Sequence, residues 1–159
     1  MFNKKRRVGR NVSSMKVGEK LKLTKKIKDK DILLYLGITD DANPLFIQHD
    51  YASQTPFEKP IVPQIMMTGF ITAAISKYLP GPGSSVVSQD LRFPNPLYHY
   101  GSLTLLLETI VIDEKNHFVE LKVEGIDEFG VVIVEGKMGV CPPYELKQLG
   151  FKSGNFENF

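Results

Sequence analysis

The rhythm of apolar and polar positions changes several times along the chain. Over residues 20–27, Leu21, Leu23 and Ile27 stand among lysines and a threonine, which predicts an edge strand with Lys on its open side. Asp29 or Asp31 can cap a short helix carrying Ile32, Leu33, Leu34 and Leu36, with Gly37 as its stop. Residues 38–60 lose all periodicity and are rich in Asp, Asn and Pro, a connection of the length that usually carries function. From about Pro63 to Tyr78 the pattern is apolar almost all round: Ile65, Met66, Met67, Phe70, Ile71, Ala73, Ala74 and Ile75. Such a helix is buried on most sides, and Gly69 and Ala73 keep it slim. Leu79-Pro80-Gly81-Pro82-Gly83 breaks it. Four β segments follow, at 86–93, 103–112, 117–124 and 131–140. Asp113 to Asn116 and Asp127 to Gly130 supply hairpin turns, so these strands should pair antiparallel. Gly150 to Phe159 has no periodicity and is expected to be mobile.

One nearly apolar helix followed by a meander of strands predicts an α+β fold, an antiparallel sheet wrapped around its central helix. So small a sheet leaves an open edge, and pairing of two chains would close it, so a dimer is expected. The length of 159 residues suits one domain, and 42% hydrophobic residues suffice for a packed core. The single cysteine, Cys141, excludes a disulfide scaffold and a multi-cysteine metal site and fits a reducing compartment, here read as the cytoplasm. Cys141 has no base near it in sequence, which argues against a thiol nucleophile. His49, His99 and His117 form no short-spaced pair, so no metal is expected; His99, within Tyr98-His99-Tyr100, reads as a surface residue. There is no Gly-rich phosphate loop, and no cofactor is expected. The run from Ile61 to Leu79 is interrupted by Pro63, Gln64 and Lys77 and reads as a buried helix, with no membrane span and no secretory signal.

Charge is unevenly spread. Residues 1–30 hold twelve of the 20 Lys+Arg against Glu19 and Asp29, a balance of +10, and the remainder carries −8. Lys4-Lys5-Arg6-Arg7 could meet phosphates, although a solvated terminus is the plainer reading. No aromatic residues interleave these cations, so nucleic acid is not an expected partner. The expected organisation is a flexible basic arm at 1–15, one domain at 16–145 and a mobile tail at 146–159.

Three stretches belong together: Asp41-Ala42-Asn43-Pro44-Leu45-Phe46 with Tyr51-Ala52; Phe57-Glu58-Lys59-Pro60-Ile61-Val62-Pro63-Gln64-Ile65-Met66; and the Leu79–Gly83 break with Phe93-Pro94-Asn95-Pro96 beyond it. This combination resembles the hotdog-fold MaoC-like dehydratases and (R)-specific enoyl-CoA hydratases over about residues 16–142. The family pattern is Gly-Asp-x-Asn-Pro-x-His, then Tyr-Ala, then Phe-x-x-Pro-Ile-Val-His-Gly-Met. The resemblance implies a hotdog, a long helix wrapped by an antiparallel sheet, working as a homodimer or as a heterodimer with a second hotdog chain. It also implies an acyl thioester of coenzyme A or acyl carrier protein as ligand, within fatty-acid metabolism. In the family an Asp and a His five residues later hold the water that adds across an enoyl thioester. A backbone N–H at the start of the central helix polarises the thioester carbonyl.

Asp41 falls on the family's Asp, preceded by Asp40 where the family has Gly. The His position is Phe46, and Ile61-Val62-Pro63-Gln64 replaces Ile-Val-His-Gly. A phenyl ring moves no proton, so the dyad is incomplete. An aromatic after Asn-Pro and a Pro-rich stretch in place of His-Gly are similar to the non-catalytic halves of such dehydratases. The candidate catalytic residue is thus Asp41, and the candidate substrate-binding residues are Asn43, Phe46, Pro63, Gln64, Ile65 and Met66. Asp-x-Asn-Pro is also ordinary turn chemistry, and Phe46, Met66, Met67 and Phe70 are ordinary core residues. Three functions stay open: a thioester-binding relative of the hydratases, a non-catalytic partner subunit, and an acyl-thioester sensor.

Overall fold

A computed structural model describes residues 8–146. The basic run Lys4–Arg7 and nearly all of the expected tail lie outside the described residues. Residues 8–15, expected in a flexible arm, are instead docked. Val12 and Met15 are buried at a short 3-10 turn, Val12–Ser14, and the Gly9 and Arg10 N–H groups donate to Pro82 and Pro80 carbonyls at 2.9 Å.

Strand β1, Lys20–Lys26, alternates as its sequence requires, with Leu21 and Leu23 toward the core and Lys20, Lys22 and Lys26 exposed. Helix α1, Asp29–Thr39, follows, and Gly37 does not stop it. It ends at Asp40, a non-glycine residue in the left-handed region (φ 55°), whose N–H reaches the Leu36 carbonyl. The four orphan carbonyls of a helix end can be met by any residue able to hold that conformation, and Asp does so at modest cost. The expected structureless connection contains two one-turn helices, α2 (Pro44–Ile47) and α3 (His49–Ala52). Helix α4, Gln64–Lys77, is the central helix.

Strands β2 (Ser85–Arg92), β3 (Ser102–Asp113), β4 (Phe118–Ile126) and β5 (Val132–Cys141) complete a five-stranded antiparallel sheet of order β1-β3-β4-β5-β2. Both expected hairpins form around Asx turns: the Asp113 carboxylate accepts from the Asn116 N–H, and Asp127 accepts from the Phe129 and Val131 N–H groups. Along β3, buried and half-buried residues alternate, which points Leu103, Leu105 and Leu107 inward. With Val119, Leu121, Val123, Val134, Met138 and Val140 they form one core around Met67, Ile71, Ala74 and Ile75 of α4. Each fully buried aliphatic side chain here contributes about 1.5–3 kcal/mol. Close approach of β5 to β2 demands Gly136: its φ is 147°, and a Cβ there would lie 2.0 Å from the Asp90 carbonyl oxygen. The helix is less enclosed than its sequence suggests, since Ile65 is 53% exposed and Gly69 lies on the same open side. No described helix is long and apolar enough to cross a membrane.

Candidate functional site

The first turn of α4 faces a pocket of about 460 Å³ bordered by α1, the α1–α2 connection and β2. Its walls are Tyr35, Asp41, Phe46, Pro63, Gln64, Ile65, Thr68, Gln89, Leu91 and Phe93.

Local chemistry fixes the left wall. The left-handed turn at Asp40 swings the chain off α1, and the Asp41 N–H contacts the Thr39 hydroxyl at 3.3 Å. Asn43 then caps α2, its side-chain oxygen accepting the Leu45 N–H at 3.0 Å, with Pro44 in the first helical position. These two devices hold Asp41 back over α1, where the Tyr35 hydroxyl donates to its Oδ2 at 2.7 Å. Burial, then the hydrogen bond and negative charge of Asp41, raise the Tyr35 pKa above the ordinary tyrosine value, so the phenol keeps its proton at neutral pH. Phe46, 7% exposed, presents its ring to the pocket from α2.

The right wall is the start of α4. Pro63 sits at the N-cap and offers no side-chain cap. The Gln64 and Ile65 N–H groups precede the first possible intrahelical acceptor, and among the described residues no protein group accepts them. Thr68, one turn later, is 9% exposed and lines the pocket beside Gln64. From β2 and the residues after it, Gln89, Leu91 and Phe93 close the back.

Of the seven residues named from the sequence, the structure brings Asp41, Phe46, Pro63, Gln64 and Ile65 onto this one pocket. Two lie elsewhere. Met66 is 7% exposed and points into the core, because it falls on the face of α4 opposite Ile65's open side. Asn43 is spent on capping α2 and does not reach the lining. Tyr35, Thr68, Gln89, Leu91 and Phe93 were not foreseen. Two carried a signal: Tyr35 is the sole hydroxyl-bearing aromatic among the aliphatics of α1, and Thr68 the one polar residue between Ile65 and Ile71. Gln89 carried none, since only sheet pairing brings β2 beside α4.

No histidine lines the pocket. His99, expected at the surface, is half-buried with its Nε2 enclosed and without a partner among the described residues. Burial lowers its pKa, against smaller upward effects from the Ile61 backbone and from Asp29. It stands behind the segments of Phe46 and Ile61, on a separate cavity with Lys59, Tyr98 and Phe129. No Lys or Arg lines the main pocket either: its titratable groups are Tyr35 and Asp41. The arrangement can therefore hold a neutral, partly apolar group between a carboxylate and two free backbone donors.

The sequence profile of the MaoC like domain matches residues 12–127. An (R)-specific enoyl-CoA hydratase of Rhodospirillum rubrum is 32% identical over 129 residues, covering 81% of this chain and 89% of the relative. A mitochondrial 3-hydroxyacyl-[acyl-carrier-protein] dehydratase of Solanum lycopersicum is 28% identical over 131 residues, 81% of this chain and 78% of the relative. The solved structure of an R-hydratase from Pseudomonas aeruginosa superimposes with a TM-score of 0.79 at 27% identity, over 92% of this chain and 97% of that one.

Proposed function

We propose, on the premise that this chain belongs to the MaoC-like hotdog dehydratase family, that it binds acyl thioesters of coenzyme A or acyl carrier protein in the pocket at the start of α4. We infer further that, on its own, it hydrates enoyl thioesters far more slowly than a relative with an intact Asp/His pair. The observation that carries this reading is the composition of the pocket wall: a carboxylate and an uncapped helix start are there, and a phenyl ring occupies the α2 position that the resemblance gives to imidazole.

The reaction divides into binding and proton transfer. A thioester carbonyl set against the Gln64 and Ile65 N–H groups meets the positive end of α4, where anionic character developing on oxygen is stabilised. Asp41 lies across the pocket and can take a proton from water. Phe46 cannot return one, and positioned general acid–base groups typically contribute about 10²–10⁴-fold. The apolar remainder, Phe46, Leu91 and Phe93, suits an acyl chain, at about 0.8 kcal/mol for each CH₂ removed from water.

Assembly follows from the sheet edges. The β1 edge carries exposed lysines at Lys20, Lys22 and Lys26, whereas β2, the opposite edge, bears Asp90 and Arg92 but also Val87 at 59% exposure, and lies along the pocket through Gln89 and Leu91. An open edge beside the pocket with an exposed valine supports pairing with a second hotdog chain, either a copy of this one or a catalytic partner.

The test combines calorimetry of acyl-CoAs and acyl carrier protein thioesters of increasing length with an enoyl-CoA hydration assay on the purified chain. Affinity that grows with chain length, with hydration at least about 100-fold below an intact enzyme, is the expected result. Absence of thioester binding overturns the reading. Turnover at a full enzyme's rate overturns its second half.

A further inference from the structure

A carboxylate alone would have to take a proton from water and give one to the enoyl carbon next to the thioester by itself. The pocket supplies a second hydroxyl in a place the family pattern does not reserve for one. Tyr35 and Asp41 are six residues apart, on α1 and just beyond it, and the left-handed residue at Asp40 folds one back on the other. Their oxygen atoms are 2.7 Å apart and both side chains line the pocket. Asp41 Oδ2 is taken by the phenol, and among the described residues no protein donor occupies Oδ1, which leaves that oxygen for a water.

From this juxtaposition we propose that Tyr35 and Asp41 act as a phenol–carboxylate pair, with Tyr35 as a catalytic residue that supplies the proton the missing imidazole would have exchanged. The proposal rests on the thioester reading above. Asp41 removes one proton from a water as its oxygen bonds to C3 of a 2-enoyl thioester. The C2=C3 π pair moves toward C2, stabilised through the carbonyl against the Gln64 and Ile65 N–H groups. The Tyr35 hydroxyl turns from Asp41 Oδ2 to give its proton to C2, and the proton now on Asp41 Oδ1 reaches the phenolate by rotation of the carboxyl group, which restores their hydrogen bond. One water is consumed, the product is a 3-hydroxyacyl thioester, and both residues return to their starting states. Elimination of water runs through the same steps in reverse. A phenol held in its neutral form is a weaker acid than imidazolium, so the pair gives a slow activity.

The experiment measures hydration of crotonyl-CoA and longer 2-enoyl-CoAs by the full chain and by Tyr35→Phe, Asp41→Asn and the double variant. Binding of a saturated acyl-CoA by calorimetry and thermal melting run alongside. The expected result is an enzyme-dependent rate in the wild type whose kcat falls at least about tenfold in each single variant, given that a positioned acid or base contributes about 10²–10⁴-fold. KM and acyl-CoA affinity stay near wild type, and the double variant is no slower than the worse single, as groups acting as a unit require. Tyr35→Phe removes one oxygen and keeps the ring, so its packing is retained. Should it melt early, Phe46→His supplies a second reading: the imidazole takes over the proton, and adding Tyr35→Phe to it then costs little of the gained rate. Undiminished kcat in Tyr35→Phe overturns the proposal, as does wild-type protein that binds acyl-CoA but shows no enzyme-dependent hydration. Failure to bind any thioester removes the underlying reading, and is told apart by the calorimetry.

Discussion

The two ends of α4 are treated oppositely. At its C-terminal end the backbone is sealed by protein: the Tyr78 N–H returns to Ala74, the Gly81 N–H to Ile75, and residues 9–10 lie over the Pro80–Pro82 turn through two 2.9 Å hydrogen bonds. The Asn11 side chain donates to Glu145 at 2.8 Å, and the His117 and Tyr144 rings stack at 3.8 Å, so the C-terminal segment is docked at β4's start. At the N-terminal end there is no side-chain cap, a pocket stands open, and a carboxylate faces it. Polar groups already partnered by protein have nothing left for a ligand, whereas groups left facing a cavity retain theirs. One helix thus has a structural end and a chemical end.

The largest effect expected from breaking this contrast is at the chemical end. Phe46→His should raise enoyl-CoA hydration by about 10²-fold when Asp41 is present and by almost nothing in Asp41→Asn, as a hydration assay on the two variants would show. Gln64, where the family has Gly, limits the gain. At the structural end, Gly9→Ala places a Cβ 2.7 Å from Gly81 carbon, the Pro82 oxygen and Pro143. This overpacking should cost about 1–3 kcal/mol, lowering Tm by several degrees while leaving acyl-CoA affinity unchanged in calorimetry.

A smaller effect concerns His99, behind the pocket wall. Its pKa is lower in the folded chain than in the unfolded one, so the unfolded state binds more protons as pH falls. The neutral-ring stability is therefore present above the ordinary histidine pKa of about 6.5 and fades below it. Tm should drop as pH falls from about 7.5 to 5.5, and His99→Gln should flatten that part of the curve. Asp29 and His49 are the charged or titratable groups acting on the ring. Smallest is the response of acyl-CoA binding to salt. None of the lysines in residues 16–30, nor Lys59 or Arg92, lines the pocket; Lys59 borders a separate cavity and Arg92 lies on the sheet beside Glu135 and Lys137. Exposed ion contacts contribute about 0–1 kcal/mol each, so affinity between about 50 and 200 mM salt should change by only a few fold. A steep fall would show cations reaching the ligand from elsewhere in the chain.

The strands, the central helix and both hairpin turns could be read from the sequence to within about two residues, because each rests on neighbours along the chain: period-two alternation in β1 and β3, an all-apolar run in α4, Asx turns at Asp113 and Asp127. Gly37 misled for the same reason. A glycine permits a helix end, but the left-handed residue that makes one was Asp40. The residue types at Asp41, Phe46, Pro63, Gln64 and Ile65 were also set locally, by turn chemistry and a helix start, and they do share a pocket.

What the sequence by itself determined is therefore the five strands, helices α1 and α4, the antiparallel hairpins of the meander and the absence of an imidazole five residues after Asp41. Tertiary structure alone decided that the Tyr35–Asp41 pair faces the start of α4, that β2 ends at the sheet edge beside α4 and brings Gln89 and Leu91 to the pocket, and that residues 8–15 are strapped over the far end of the helix. Periodicity and turn chemistry encode the conformation of a segment. Which segments meet depends on where burial of the sheet's inner face around α4 leaves each of them.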